Sequence, residues 1–156
     1  MGNAISCGGP FPPSQNWQIE AFRPKHWGLF GEPAPITFRT PMGRMSHRVS
    51  VVDIDKRDIE IRVWLDDEDK GHRNVDLDSA VDCGDDLFKC LSHDFAAAVV
   101  VAPPGRHTVK AEIRKRASNS TFSFESSNIT PGNESEAFVW GKERQRRIKW
   151  VMQPCT

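Results

Sequence analysis

The sequence predicts an all-β protein, an antiparallel β-sandwich over residues 36–156 behind an irregular, proline-rich arm over residues 1–35. Three observations predict it. From residue 36 onward the apolar residues recur with a period of two, the pattern of strands with one face buried. Turn-forming residues separate these runs at intervals of roughly 8–15 residues, the spacing of a sandwich. No long stretch carries the 3.6-residue period of an amphipathic helix.

In the arm, Pro10, Pro12, Pro13, Pro24, Pro33 and Pro35 remove backbone donors and oppose regular structure. Trp17, Ile19, Phe22, Trp27, Leu29 and Phe30 make it too apolar for a free linker, so it is expected to run extended along the domain. Contact of these aromatics with a membrane interface is the alternative. A first strand contains Val49, Val51 and Ile54. The clearest strand follows, with Ile59, Ile61, Val63 and Leu65 alternating with Glu60, Arg62, Trp64 and Asp66. Val75, Leu77 and Val81 are separated by polar residues. The run from Phe95 to Val101 is apolar throughout and reads as a fully buried strand. Pro103-Pro104-Gly105 enforces a turn, after which Val109, Ala111 and Ile113 alternate with Lys110, Glu112 and Arg114. Phe122 with Phe124, Phe138 with Trp140, and Ile148, Trp150 and Met152 supply the remaining strands. One short helix is expected over Asp85–His93. Leu87, Phe88 and Leu91 lie on one side, and Asp85 and Asp86 favour its N-terminus.

The segment Val99–Ile113, VVVAPPGRHTVKAEI, resembles the strand–turn–strand corner of immunoglobulin-like domains. The resemblance covers about 15 residues and implies an immunoglobulin-like or related sandwich without implying a function.

Acidic and basic residues balance, 21 of each, so net charge points to no nucleic-acid partner. They are unevenly placed. Residues 53–94 hold 14 acids and 6 bases, a net of −8; residues 104–116 hold five bases and one acid, as do residues 142–149, a net of +4 each. No segment has the roughly 20 apolar residues of a spanning helix, and the N-terminus lacks a secretory pattern. A cytosolic setting is therefore expected. In it Cys7, Cys83, Cys90 and Cys155 would be reduced, one as a lipid acceptor and three as ordinary thiols. The sequons at Asn119, Asn128 and Asn133 argue for the secretory route instead.

The first seven residues, Met-Gly-Asn-Ala-Ile-Ser-Cys, carry the strongest functional signal. Gly2 and Ser6 have the N-myristoylation spacing, and Cys7 is placed for a second acyl chain, which would make a marginal anchor stable. This heptad resembles the acylated N-termini of Src-type kinases and G-protein α subunits. The resemblance implies lipidation at Gly2 and Cys7. Arg114, Lys115, Arg116, Arg144, Arg146 and Arg147 form a candidate basic face toward anionic lipid or an acidic protein partner. The acidic stretch from Asp66 to Asp86 is similar in composition to the calcium-binding loops of synaptotagmin-type lipid-binding sandwiches. It has no EF-hand spacing, because Lys70 interrupts it. Cys83, Cys90, His93 and Asp94 match no structural zinc pattern, and no nucleophile, phosphate-binding or protease motif is present.

These readings lead to one expectation: a non-enzymatic interaction module, without cofactor, lipid-anchored to the cytosolic face of a membrane. The alternatives are a calcium-dependent lipid-binding sandwich and a secreted, lectin-like or membrane-active one.

Overall fold

The computed structural model describes residues 6–8, 16–23, 33–117 and 146–155. Within them lie ten strands and one short helix. In chain order these are β1 (Gln18–Ala21), β2 (Ile36–Arg39), β3 (Ser46–Asp53), β4 (Asp55–Arg57), β5 (Ile59–Leu65) and β6 (Glu68–His72). Then come β7 (Asp78–Gly84), α1 (Leu87–Ser92), β8 (Ala97–Ala102), β9 (Thr108–Arg116) and β10 (Arg147–Cys155). One sheet has the order β1-β10-β3-β8 and a second β2-β9-β5-β6, with a two-stranded ribbon of β4 and β7. Every pairing is antiparallel. The protein is an all-β sandwich.

The two four-stranded sheets share one core, filled by the alternate residues of each strand. Ile59, Ile61, Val63 and Leu65 of β5 and Val109 and Ala111 of β9 meet Val49 and Val51 of β3, Val100 and Ala102 of β8 and Ile148 of β10. A second cluster covers the opposite face of the first sheet, where Val52, Ile54 and Phe95 pack with Cys83, Leu87 and Cys90. Part of the first sheet is thus covered on both sides. The outer face of the second sheet carries polar and half-buried side chains.

Part of the segment read as irregular is a strand. β1 pairs with β10, Gln18 opposite Trp150 and Ala21 opposite Arg147. Only four residues pair, and they lack clean alternation, so their own pattern is no guide; β10 supplies the template. The run from Phe95 to Val101 departs from the fully buried strand expected of it. Phe95 is buried, but β8 pairs with β3 alone among the described residues, and Val99 and Val101 turn outward, 39% and 41% exposed. Valine on the outward side of a strand reads like core because it shares the strand propensity of core valine.

Helix α1 begins as expected. The Asp86 carboxylate caps it by accepting a hydrogen bond from the Lys89 amide at 3.1 Å. Its inner face is Leu87 with Cys90, three residues on, whereas Phe88 is 52% exposed. Phe88, one position on from Leu87, is rotated by about 100° on a helix of 3.6 residues per turn, away from the core side.

The hairpin between β5 and β6 explains two of the acidic residues. Asp66 and Asp67 both have positive φ, 48° and 67°, as a two-residue hairpin turn requires. Aspartate tolerates that conformation better than most residues. At the other turn Gly105 has φ 99°. The Thr40 hydroxyl ties that turn to the end of β2, donating to the Gly105 carbonyl at 3.1 Å and accepting from the His107 amide at 2.7 Å.

Candidate interaction surfaces

The cysteines correct the expectation of free thiols. Cys7 is bonded to Cys155, with Cα atoms 5.0 Å apart, and Cys83 to Cys90, with Cα atoms 5.2 Å apart. All four are consumed. The outer bridge fastens the start of the chain to the end of β10, and Arg48 of β3 adds a second tie by donating to the Ser6 carbonyl at 3.4 Å. The inner bridge joins β7 to α1 inside the second core cluster. While Cys7 is bonded to Cys155 it has no thiol for an acyl chain. The partner of Cys7 lies 148 residues away, and such a pairing has no local signal. Gly2, the other lipidation residue, lies outside the described residues.

The basic residues are placed differently from one another. The Arg114 guanidinium donates to Glu60 at 2.5 Å, and the other oxygen of this buried carboxylate accepts from the Val75 amide at 2.9 Å. Arg146 meets the fully buried Asp58 at 2.8 Å. Arg147 forks onto Asp55, with Nε at 2.9 Å and Nη2 at 2.7 Å, and this pairing holds the guanidinium above its ordinary pKa. Three residues of the expected basic face thus tie β10 and β9 to the β3–β5 region. Lys115 and Arg116 are exposed at the end of β9. Arg144 lies outside the described residues, as do Asn119, Asn128, Asn133, Phe122, Phe124, Phe138 and Trp140.

Beside these pairs sits Asp53, at the end of β3 and fully buried. Neither of its oxygens has a hydrogen-bond partner. Burial pushes its carboxyl well above the usual range, and the charges of Asp58 and Asp55 add to this. Arg146 and the Ile54 amide oppose the shift, the amide without forming a hydrogen bond of normal geometry.

The acidic hairpin is tied down from within. One Asp66 oxygen accepts from the Thr108 amide at 2.9 Å and the other meets His107 Nδ1 at 2.5 Å. The Thr108 amide, followed by His107, lowers the Asp66 pKa, and the bond to Asp66 raises that of His107. Asp69 accepts from the Gly71 amide at 2.7 Å and lies 3.6 Å from Arg62, while Lys70 lies 3.4 Å from Glu68. Among the described residues no three acidic, histidine or cysteine side chains converge as a metal site.

On the outer face of the second sheet, one row crosses all four strands: Thr37, Lys110, Trp64 and Asp69. The next holds Glu112, Arg62 and His72. Trp64 donates its indole N–H to Glu112 at 2.7 Å. The Lys110 ammonium lies 5.1 Å from the ring centroid and the Arg62 guanidinium 5.8 Å, both within cation–π range. Trp64 belongs to neither core cluster. Its place at the centre of a polar face does not stand out in the sequence, though the Arg62-x-Trp64 and Lys110-x-Glu112 alternations, read together, put these four side chains on one side.

No protein-family model, curated protein or solved structure matches this chain.

Proposed function

We propose that this chain is a non-enzymatic binding module, a β-sandwich clamped by two disulfides for use in an oxidising compartment. The observation that carries the reading is the pairing of all four cysteines, one bridge holding the two ends of the chain together. Disulfides persist outside the reducing cytosol. The charged side chains fit the same reading. Arg114 and Arg147 are each engaged by a carboxylate on another strand, and Arg146, just before β10, by Asp58 between β4 and β5. Thiol titration of the unfolded, non-reduced protein tests the proposal: no reactive thiol is expected, and four reactive thiols would overturn it.

The Gly2–Ser6 signal favours a second reading, the acyl-anchored module at the cytosolic face of a membrane. It requires Cys7 to be reduced if a second chain is to be attached there. Intact mass from a eukaryotic host separates the two. The first reading gives a chain lighter by two hydrogens for each bridge, and the second gives a chain heavier by a fatty acyl group. The calcium-dependent alternative predicts a higher melting temperature in millimolar calcium, since a ligand binding only the folded state stabilises it.

A further inference from the structure

We infer that the outer face of the second sheet, centred on Trp64, binds an anionic polysaccharide. The inference rests on the binding-module reading and names its ligand class. The opposite outer face, that of the first sheet, is covered in part by α1 and the second core cluster. The Trp64 face carries instead a large aromatic side chain outside both cores, among charged neighbours. Its ring orientation is set by the bond to Glu112 and by the two cations against the ring.

Charge selects an anion. Arg62 is balanced by Asp69 at 3.6 Å, and Glu112 keeps its negative charge while accepting the neutral indole N–H. Lys110, and Arg39 two positions beyond its cross-strand neighbour Thr37, have no ion-pair partner among the described residues. With Arg39, Arg62 and Lys110 set against Asp69 and Glu112, the face keeps one net positive charge beside the aromatic side chain. A sheet face admits a chain lying across it. An extended peptide would more readily take backbone hydrogen bonds from a sheet edge. A sugar chain uses both features, its ring faces packing on the indole and its sulfates or carboxylates meeting Lys110 and Arg39. Lys110 rests on the ring by a flexible stem and can transfer to an anion without moving the backbone.

The test uses the full oxidised chain and immobilised heparin, with dextran as the neutral glycan and polyglutamate as the acidic peptide. Heparin binding at physiological salt is expected to weaken as salt rises and to be absent for dextran. Lys110→Gln with Arg39→Gln should weaken it about tenfold, the loss of one or two charge contacts. Trp64→Ala should weaken it while leaving its salt dependence unchanged, with Trp64→Phe retaining more than Trp64→Ala. Arg39 is exposed and Lys110 half-buried, and both lie outside the two cores, so the double variant stays informative if Trp64→Ala melts. Failure of the wild type to bind heparin, or equal binding of polyglutamate with no effect of Trp64, would overturn the inference. The thiol titration remains independent, so a module of another specificity would still show both bridges closed.

Discussion

Asp53 concentrates the chemistry of this fold in one side chain: a carboxylate fully buried, with both oxygens unbonded and two further acids near it. A carboxyl raised in the folded state leaves stability intact below the unfolded value, near 3.8, and costs stability as pH rises through the folded one. An asparagine at this position would keep the shape and have no proton to lose. Asp53→Asn should therefore melt with the wild type below about pH 4, and the variant should become progressively the more stable toward neutral pH. Thermal melts across that range check it; parallel curves would mean that Asp53 binds its proton equally in the folded and unfolded states, with no raised pKa. Arg146 behaves in the opposite sense. Removing it strands the buried charge of Asp58, so Arg146→Gln should destabilise by about 3 kcal/mol in a denaturant titration. An arginine facing solvent on a basic interaction face, as expected from the sequence, would cost almost nothing.

At the scale of the element, β8 gives the sharpest comparison. Val100 is 4% exposed between Val99 and Val101, which face outward. Val100→Asp should unfold the domain, because an unpaired core charge costs several kcal/mol, comparable with the whole stability. Val101→Asp should fold, with a small change in melting temperature. Circular dichroism melts of the pair decide it, and equal damage would place both valines in the core. The limits of sequence reading show in the same strand. β5 is legible because Glu60, Arg62 and Trp64 mark its outer side, although Glu60 is itself buried in its bonds to Arg114 and the Val75 amide. β9 is legible likewise up to Ile113, which packs partly buried against the core. β8 has no polar residue to mark a side, so its apolar run reveals the strand and not its exposure. Phe88 misleads for a related reason: α1 is six residues long, too short for a period to show which apolar neighbour faces the core. The ion pairs from β9 and β10 to the carboxylates around β3, β4 and β5 join residues 54 to 92 positions apart, and nothing local signals such partners. The candidate face around Trp64 is hidden similarly, since it is assembled from strands separated in sequence and joined by register.

For the whole molecule, the bridge from Cys7 to Cys155 matters most, because it closes nearly the entire chain. In the chain-entropy account its loop constrains the unfolded state by about 5 kcal/mol, against about 2.5 kcal/mol for the short loop from Cys83 to Cys90. The short bridge is nevertheless set in the second core cluster, where Cys83 and Cys90 pack with Leu87 and Phe95, so its loss also disturbs packing. The two pairs should respond differently. Cys7→Ser with Cys155→Ser should lower stability by a few kcal/mol while leaving the sandwich cooperative, because Ser6–Gly8 contributes little to either core. Cys83→Ser with Cys90→Ser places two hydroxyls in an apolar cluster and should release α1 and the β4–β7 ribbon ahead of the main sandwich, seen as early loss of amide protection there. Hydrogen exchange on the two double variants reads this directly. Uniform loss of protection in the second variant would show that the two cores unfold as one unit. Retained protection around α1 would show that the cluster holds without its bridge.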